Sequence, residues 1–349
     1  MFLQTYFPVA ATAVTLFQTA LAGYNPSAKN NVAVYWGQNS YGQGSGNLAQ
    51  QRLSNYCSDS NIDIIIMSFL VQIKGTGGQP VMNFANQGDR CTVFPGTSTF
   101  NCPEIAADIK TCQSRGKTIL LSIGGATYTE GGFASAADAT SAAQMIWQTF
   151  GPRTSSSALR PFGDSYVNGI DFDFEAGVRN MVPFGQRLRT LMNASGSGFL
   201  ITGAPQCPYP DYAMGEMLAA GGVAFDVIWP QFYNNYCGLQ SYVSGAADQW
   251  NFNFNTWDQW ARQTSVNRNV KVMLGTPAGP SAAGSGYTGG DRLREIIGFV
   301  KKFERMGGVM MWDVSQAYAN SGFLVSVKNY LNTAREATRE AVRAVAFRA

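Results

Sequence analysis

Asp171, Asp173 and Glu175 alternate with Ile170, Phe172 and Phe174 in the stretch NGIDFDFEAG, residues 168–177. In an extended chain successive side chains point to opposite faces, so the acids share one face and the apolar residues the other. Asn168 has the opposite parity and stays out of the row. Three carboxyls this close in a low dielectric cannot all ionise cheaply, and at least one pKa must rise. A carboxyl that stays protonated near neutral pH can act as a general acid. A structural ion-pair cluster, or a Ca2+ or Mg2+ site, is the other use of such a row. Histidine is absent from all 349 residues. That excludes Ser-His-Asp and Cys-His nucleophiles and every His-based zinc site, leaving carboxylates, Tyr, Lys or Cys for proton transfer.

Carboxyls beside aromatic rings suit the cleavage of glycosidic bonds, because rings stack on the apolar faces of sugars while acids and amides bind hydroxyls. Tyr35, Trp36, Tyr128, Tyr233 and Trp312 are the aromatics available for this role. Each alone reads equally well as core packing, and the case rests on their places in the chain.

Those places follow from eight short apolar runs: 31–36, 62–69, 117–123, 169–174, 199–204, 225–232, 270–275 and 307–312. Segments with helical patterning separate several of them, notably 137–150, 178–193 and 291–305. Near-continuous apolar strands alternating with helices predict a parallel sheet covered on both faces. Eight such units predict an α/β fold of one domain, a (β/α)8 TIM barrel. A doubly wound open sheet is the alternative. It would carry a nucleotide loop, and the glycine-rich stretch Gly42–Gly46 lacks both the third glycine spacing and a P-loop lysine. Catalytic groups of a barrel sit at the C-terminal strand ends. Here those ends carry Tyr35, Trp36 and Gln38, then Gly124 and Gly125, Asp173 and Glu175, Gln231 and Tyr233, and Trp312.

Residues 1–22 read as a secretory leader: an apolar run from Phe7 to Phe17 precedes Ala20-Leu21-Ala22. The run is too short to span a membrane. Six cysteines follow it (57, 91, 102, 112, 207 and 237), and in a secreted chain they point to disulfides, with 15 possible pairings. Asn193 opens the only N-glycosylation sequon. The barrel is expected over 30–331, and the Ala- and Arg-rich tail 332–349 as a solvated helix. A net charge of +3, with 13% charged residues, gives no reason to expect nucleic acid or a membrane surface as partner.

In its motifs the chain resembles glycoside hydrolase family 18, specifically the class III chitinases of plants and fungi. The family signature D-G-x-D-x-D-x-E is matched from Asn168 to Glu175 except at its first position. Tyr35-Trp36-Gly37-Gln38-Asn39, Ser122-Ile123-Gly124-Gly125, Ala204 to Pro208, Gln231 to Asn235 and Gly307 to Trp312 are similar as well. The similarity runs over roughly residues 30 to 331.

This resemblance implies retaining, substrate-assisted hydrolysis of the β-1,4 linkages of chitin and N-acetylglucosamine oligomers, endo-acting, with no cofactor and no metal. Glu175 would protonate the leaving oxygen, and the acetamido carbonyl of the sugar would attack the anomeric carbon. Asp173 would orient the acetamido N–H, Asp171 would hold or share its proton, and Tyr233 would hydrogen-bond the acetamido oxygen. Trp312 would floor the subsite, and Tyr35, Gln38, Gly124, Gly125 and Gln231 would bind substrate. The disulfides would be Cys57–Cys112, Cys91–Cys102 and Cys207–Cys237. Two departures stand out: Asn168 at the signature's first acid, and Val71 where plant relatives often carry a substrate-binding Asn. The expected protein is a secreted, extracellular monomer. The rivals are a chitin-binding lectin or glycosidase inhibitor on the same fold, and an enzyme with lysozyme activity.

Overall fold

A computed structural model describes residues 23–154, 157–196 and 198–333. The leader 1–22 and all but the first two residues of the tail lie outside them. Eight strands form the barrel: β1 (Asn31–Trp36), β2 (Ile64–Gln72), β3 (Thr118–Gly124), β4 (Gly169–Asp173), β5 (Leu200–Gly203), β6 (Val227–Ile228), β7 (Lys271–Pro277) and β8 (Met306–Trp312). Each pairs in parallel with its sequence neighbour, and β1 pairs with both β2 and β8. The sheet is therefore closed, which disposes of the open doubly wound alternative.

Strand alternation builds two cores. Ile170, Phe172 and Phe174 belong to the outer layer, packed between the sheet and the helices. Tyr35, Ile66, Phe69, Val227, Trp229 and Met310 fill the barrel interior. The helix Ala136–Phe150 presents Ala139, Ala142, Ala143, Ile146 and Phe150 to the sheet at helical spacing, and Ser135 caps it by accepting from Asp138 N. Helix Met181–Ser195 buries Phe184, Leu188 and Met192, with Phe184 against Phe133 and Phe172.

The sixth apolar run, 225–232, yields only the two-residue strand β6. Pro230 has no N–H to donate to a ladder. Trp229 N still donates to Gly203 O at 2.9 Å and Gln231 N to Pro205 O at 2.8 Å, so the segment follows β5 up to the barrel mouth. The helix expected over 291–305 runs from Gly290 to Val300 and ends in turns.

Disulfides join Cys57 to Cys112, Cys91 to Cys102 and Cys207 to Cys237. The first ties two helices on the barrel's outside. The third ties the loops after β5 and β6, both of which reach the site below.

Asn168 sits just before β4, at the closed end of the barrel. Its Oδ1 accepts from Ile119 N at 2.9 Å and from Gln113 Nε2 at 3.0 Å. Asp63, just before β2, accepts in the same way from Val32 N at 2.8 Å. Asp226, just before β6, accepts from Ile201 N at 2.8 Å. At all three places a side-chain oxygen takes the N–H of the second residue of the preceding strand. An amide oxygen serves as well as a carboxylate there, and Asn168 is remote from the acid row's open end.

Candidate active site

Asp171, Asp173 and Glu175 rise in one line from the barrel interior to its mouth, as period-two alternation requires. Asp171 is fully buried. Its Oδ2 accepts from Ser122 Oγ at 2.6 Å and Tyr35 Oη at 2.7 Å, and its Oδ1 from Thr202 Oγ1 at 2.7 Å. Burial pushes its pKa up to about 6, and the three hydroxyls pull against that rise. Asp173, 3% exposed, takes a 2.9 Å bond from Gln231 Nε2 on Oδ1; the same nitrogen donates to Ala204 O at 3.0 Å. Burial, then the charges of Glu175, Asp171 and Asp211, hold its pKa well above the ordinary carboxylate range. Glu175 is exposed at the rim, and the partial burial of its carboxyl, with the nearby charge of Asp211, raises its pKa too. No ion pair among the described residues includes any of these four acids.

The cleft over them holds about 240 Å³ and is bordered by Gln38, Phe69, Asp173, Glu175, Tyr233 and Trp312, with Gln231, Asn234, Ala126, Thr127 and Ala282 completing it. Trp312 stacks on Phe69, with ring centroids 5.9 Å apart and planes at 22°, and so presents a flat aromatic floor. Tyr233 is 7% exposed; burial, then Asp173 and Glu175, raises its pKa, so the phenol keeps its proton and can donate. A wider surface depression of about 790 Å³ lies beside Arg52, Tyr56, Asp108 and Tyr318 and contains none of these acids.

Several residues expected to touch substrate do something else. Tyr35 is 1% exposed and lies below the acids: its hydroxyl donates to Asp171 and accepts from Trp229 Nε1 at 3.0 Å. Trp36 points to the outer layer, against Phe84, with its Nε1 bonded to Gln51 O. Tyr128 is core, packed on Phe174. Gly124 and Gly125 are buried under the cleft wall rather than in it. A Cβ at Gly124 would stand 2.2 Å from Asp173 O, and one at Gly125 2.7 Å from the Phe69 ring. Both carry positive φ, and Gly125 N donates to Asp173 O at 2.7 Å. These glycines let β3 close against the strand end that bears Asp173. Gln38 does border the cleft, with its amide nitrogen held by Ser68 O at 2.8 Å and Asn83 O at 3.1 Å. Val71 is half-buried against the interior cluster. Asn193 is exposed near the end of its helix, while Ser195 of the sequon bonds to Trp147 and Leu191.

Two site residues carried no signal in the sequence pattern. Phe69 reads as one more apolar residue of its run. Asp211 sits in an irregular segment after β5, where no alternation marks it. The residue is 5% exposed, with Oδ2 accepting from Gln206 N at 3.0 Å and Oδ1 from Met214 N at 2.5 Å.

A closed parallel barrel whose fourth strand aims stacked carboxyls into an aromatic-floored cleft has the layout of a glycoside hydrolase. The family model for glycosyl hydrolases family 18 matches residues 31–290, and the chain belongs to that family. It is 51% identical over 318 residues to a class III chitinase of Arthroderma benhamiae, covering 90% of this chain and 89% of that one. It is 48% identical over 324 residues to endochitinase 33 of Trichoderma harzianum, covering 92% and 98%. Among solved structures, the xylanase and alpha-amylase inhibitor protein from Scadoxus multiflorus is similar, with a TM-score of 0.64 and 31% identity over 86% of this chain and 96% of that one.

Proposed function

We propose that the protein is a secreted chitinase that hydrolyses β-1,4-linked N-acetylglucosamine chains with retention, the substrate's own acetamido group serving as nucleophile. The observation that carries the reading is the graded row of acids: Glu175 accessible at the rim, Asp173 buried beneath it and held by Gln231, Asp171 at the bottom bound by three hydroxyls.

Glu175, its pKa raised, delivers a proton to the glycosidic oxygen as the acetamido oxygen attacks the anomeric carbon. Gln231 occupies Oδ1 of Asp173, which leaves Oδ2 to take the acetamido N–H. The positive charge that develops on the oxazolinium ring is stabilised by the negative charge of the Asp173–Asp171 pair, which holds one proton between its two carboxyls, in a low dielectric. Tyr233, a protonated phenol, donates to the acetamido oxygen. Trp312 stacks under the sugar that is cleaved. Water then opens the oxazolinium with Glu175 as base, which regenerates the acid. Endo action fits the naming of the Trichoderma relative.

The same reading takes residues 1–22 as a removable leader, 30–331 as the catalytic domain and 332–349 as a helical tail on an extracellular monomer. The likeness to an inhibitor protein is the observation behind the rival. It makes this chain a binder on the shared fold. This chain keeps Asp171, Asp173, Glu175 and Tyr233 together in one cleft, and that favours turnover.

Turnover of a soluble chitin oligomer by wild type and Glu175→Gln decides. Activity in the wild type, lost by at least a thousandfold in the variant, with β configuration at the new reducing end, supports the reading. No hydrolysis by either, despite oligomer binding, leaves a lectin or inhibitor.

A further inference from the structure

Asp211 lies in a loop beside the site although it is far from the acid row in sequence. The residue is almost wholly buried, and the hydrogen bonds that hold its carboxyl come from backbone N–H groups of Gln206 and Met214. The segment is pinned by the Cys207–Cys237 disulfide. Gln206 also bridges Gln231, the residue that holds Asp173. On its other side the segment touches the stretch bearing Glu175: a Cβ added at Gly177 would lie 3.2 Å from the Tyr212 hydroxyl. The loop that bears Asp211 is thus held against the stretch that bears Glu175 by contacts on both of its sides. The titratable groups that meet at Glu175 are Asp173 from β4, Tyr233 from the loop after β6 and Asp211 from the loop after β5, and no Lys or Arg borders the cleft.

We propose that Asp211 is a positioning residue for catalysis, a second fixed negative charge beside Glu175 that keeps Glu175 protonated until the leaving oxygen takes the proton. The inference rests on Glu175 as general acid. Asp173 alone cannot serve this purpose through the whole reaction, because it is occupied with the acetamido N–H and the oxazolinium charge. Asp211 has no such partner, so its charge bears on Glu175 before and after proton transfer. When Glu175 gives up its proton it becomes an anion beside an anion, which opposes premature loss of the proton and favours its recovery from water.

The test is kcat/KM against pH on a soluble N-acetylglucosamine oligomer for wild type, Asp211→Asn and Asp211→Glu. Asp211→Asn moves the alkaline limb down by about one pH unit, so at a pH on that limb the rate falls about tenfold. On the acidic side it stays within about twofold of wild type, because there Glu175 is protonated in both. Asp211→Glu keeps the charge and leaves the limb in place. A limb unmoved in Asp211→Asn, or moved equally in Asp211→Glu, overturns the inference and leaves Asp211 a loop-holding residue. If Asp211→Asn does not fold, carboxyl 13C NMR of the wild type decides: Glu175 titrates in two steps, one tracking Asp211, and a single independent step overturns it. Glu175→Gln is run alongside. Activity retained there removes the general acid itself, whereas activity lost there with an unmoved limb removes only the role of Asp211.

Discussion

Tyr35→Phe isolates a residue whose place in the site is mechanical rather than substrate-binding. The substitution deletes one oxygen. That oxygen donates to Asp171 at 2.7 Å and accepts from Trp229 Nε1 at 3.0 Å, both fully buried. The ring, packed 5.4 Å from Trp312 and 6.1 Å from Phe69, is unchanged. A hydrogen bond to a charged group contributes about 1.5–3 kcal/mol, and an orphaned buried indole N–H costs about 1–3 kcal/mol. The two losses share one oxygen and part of each is recovered by relaxation, so a net destabilisation of about 2–4 kcal/mol is expected. Urea unfolding at pH 7 measures it as a fall in midpoint without change of slope. Asp171 also loses one of the three hydroxyls that hold its pKa down, so its protonated form gains ground and kcat falls several-fold. KM on a chitin oligomer changes by less than about twofold, since Tyr35 does not reach the cleft. A tenfold rise in KM with unchanged stability would refute the reasoning, because it would mean that the phenol contacts sugar.

Asp171, pushed up to about 6 by burial, binds its proton more tightly folded than unfolded, so its contribution is greatest below about pH 4 and is lost as pH rises through 6. The stability lost between pH 4 and pH 7 should be about 2 kcal/mol smaller in Asp171→Asn than in wild type, read from urea midpoints at the two pH values. Asn168→Asp keeps an oxygen acceptor for Ile119 N, so turnover should stay within about twofold of wild type and stability within about 1 kcal/mol; a rise in kcat by orders of magnitude would show that position 168 communicates with the acids. Gly124→Ala drives a methyl into Asp173 O from a backbone with φ +125°, and should cost about 2–4 kcal/mol together with most of kcat. Trp312→Ala should raise KM at least tenfold while leaving the unfolding slope unchanged, because it removes the floor of the cleft without touching the acids.

Much of the fold was legible because its signal is local. Eight apolar runs became eight strands, since strands buried on both faces must be apolar along their length. The row Asp171, Asp173 and Glu175 was legible for the same reason: period two is a property of any extended chain, wherever it packs. The end of the sixth strand was misjudged, because hydrophobicity carries no mark of the N–H that Pro230 lacks.

What the sequence by itself determined is therefore which residues share a face and which end of each strand they occupy. Only the tertiary structure decided which of them meet open space. Tyr35, Trp36 and Tyr128 sit at or near strand ends just as Tyr233 and Trp312 do, yet the first three are packed beneath or behind the cleft and the last two line it. The difference lies in how the neighbouring strands and loops cover each ring, and those neighbours are distant in sequence. Asp211 makes the point most sharply. The approach of its loop to the Glu175 stretch depends on a disulfide, a bridge to Gln231 and a tyrosine leaning on Gly177, contacts that exist only once the barrel has closed. Coulomb's law acts through space, and spacing along the chain cannot report it.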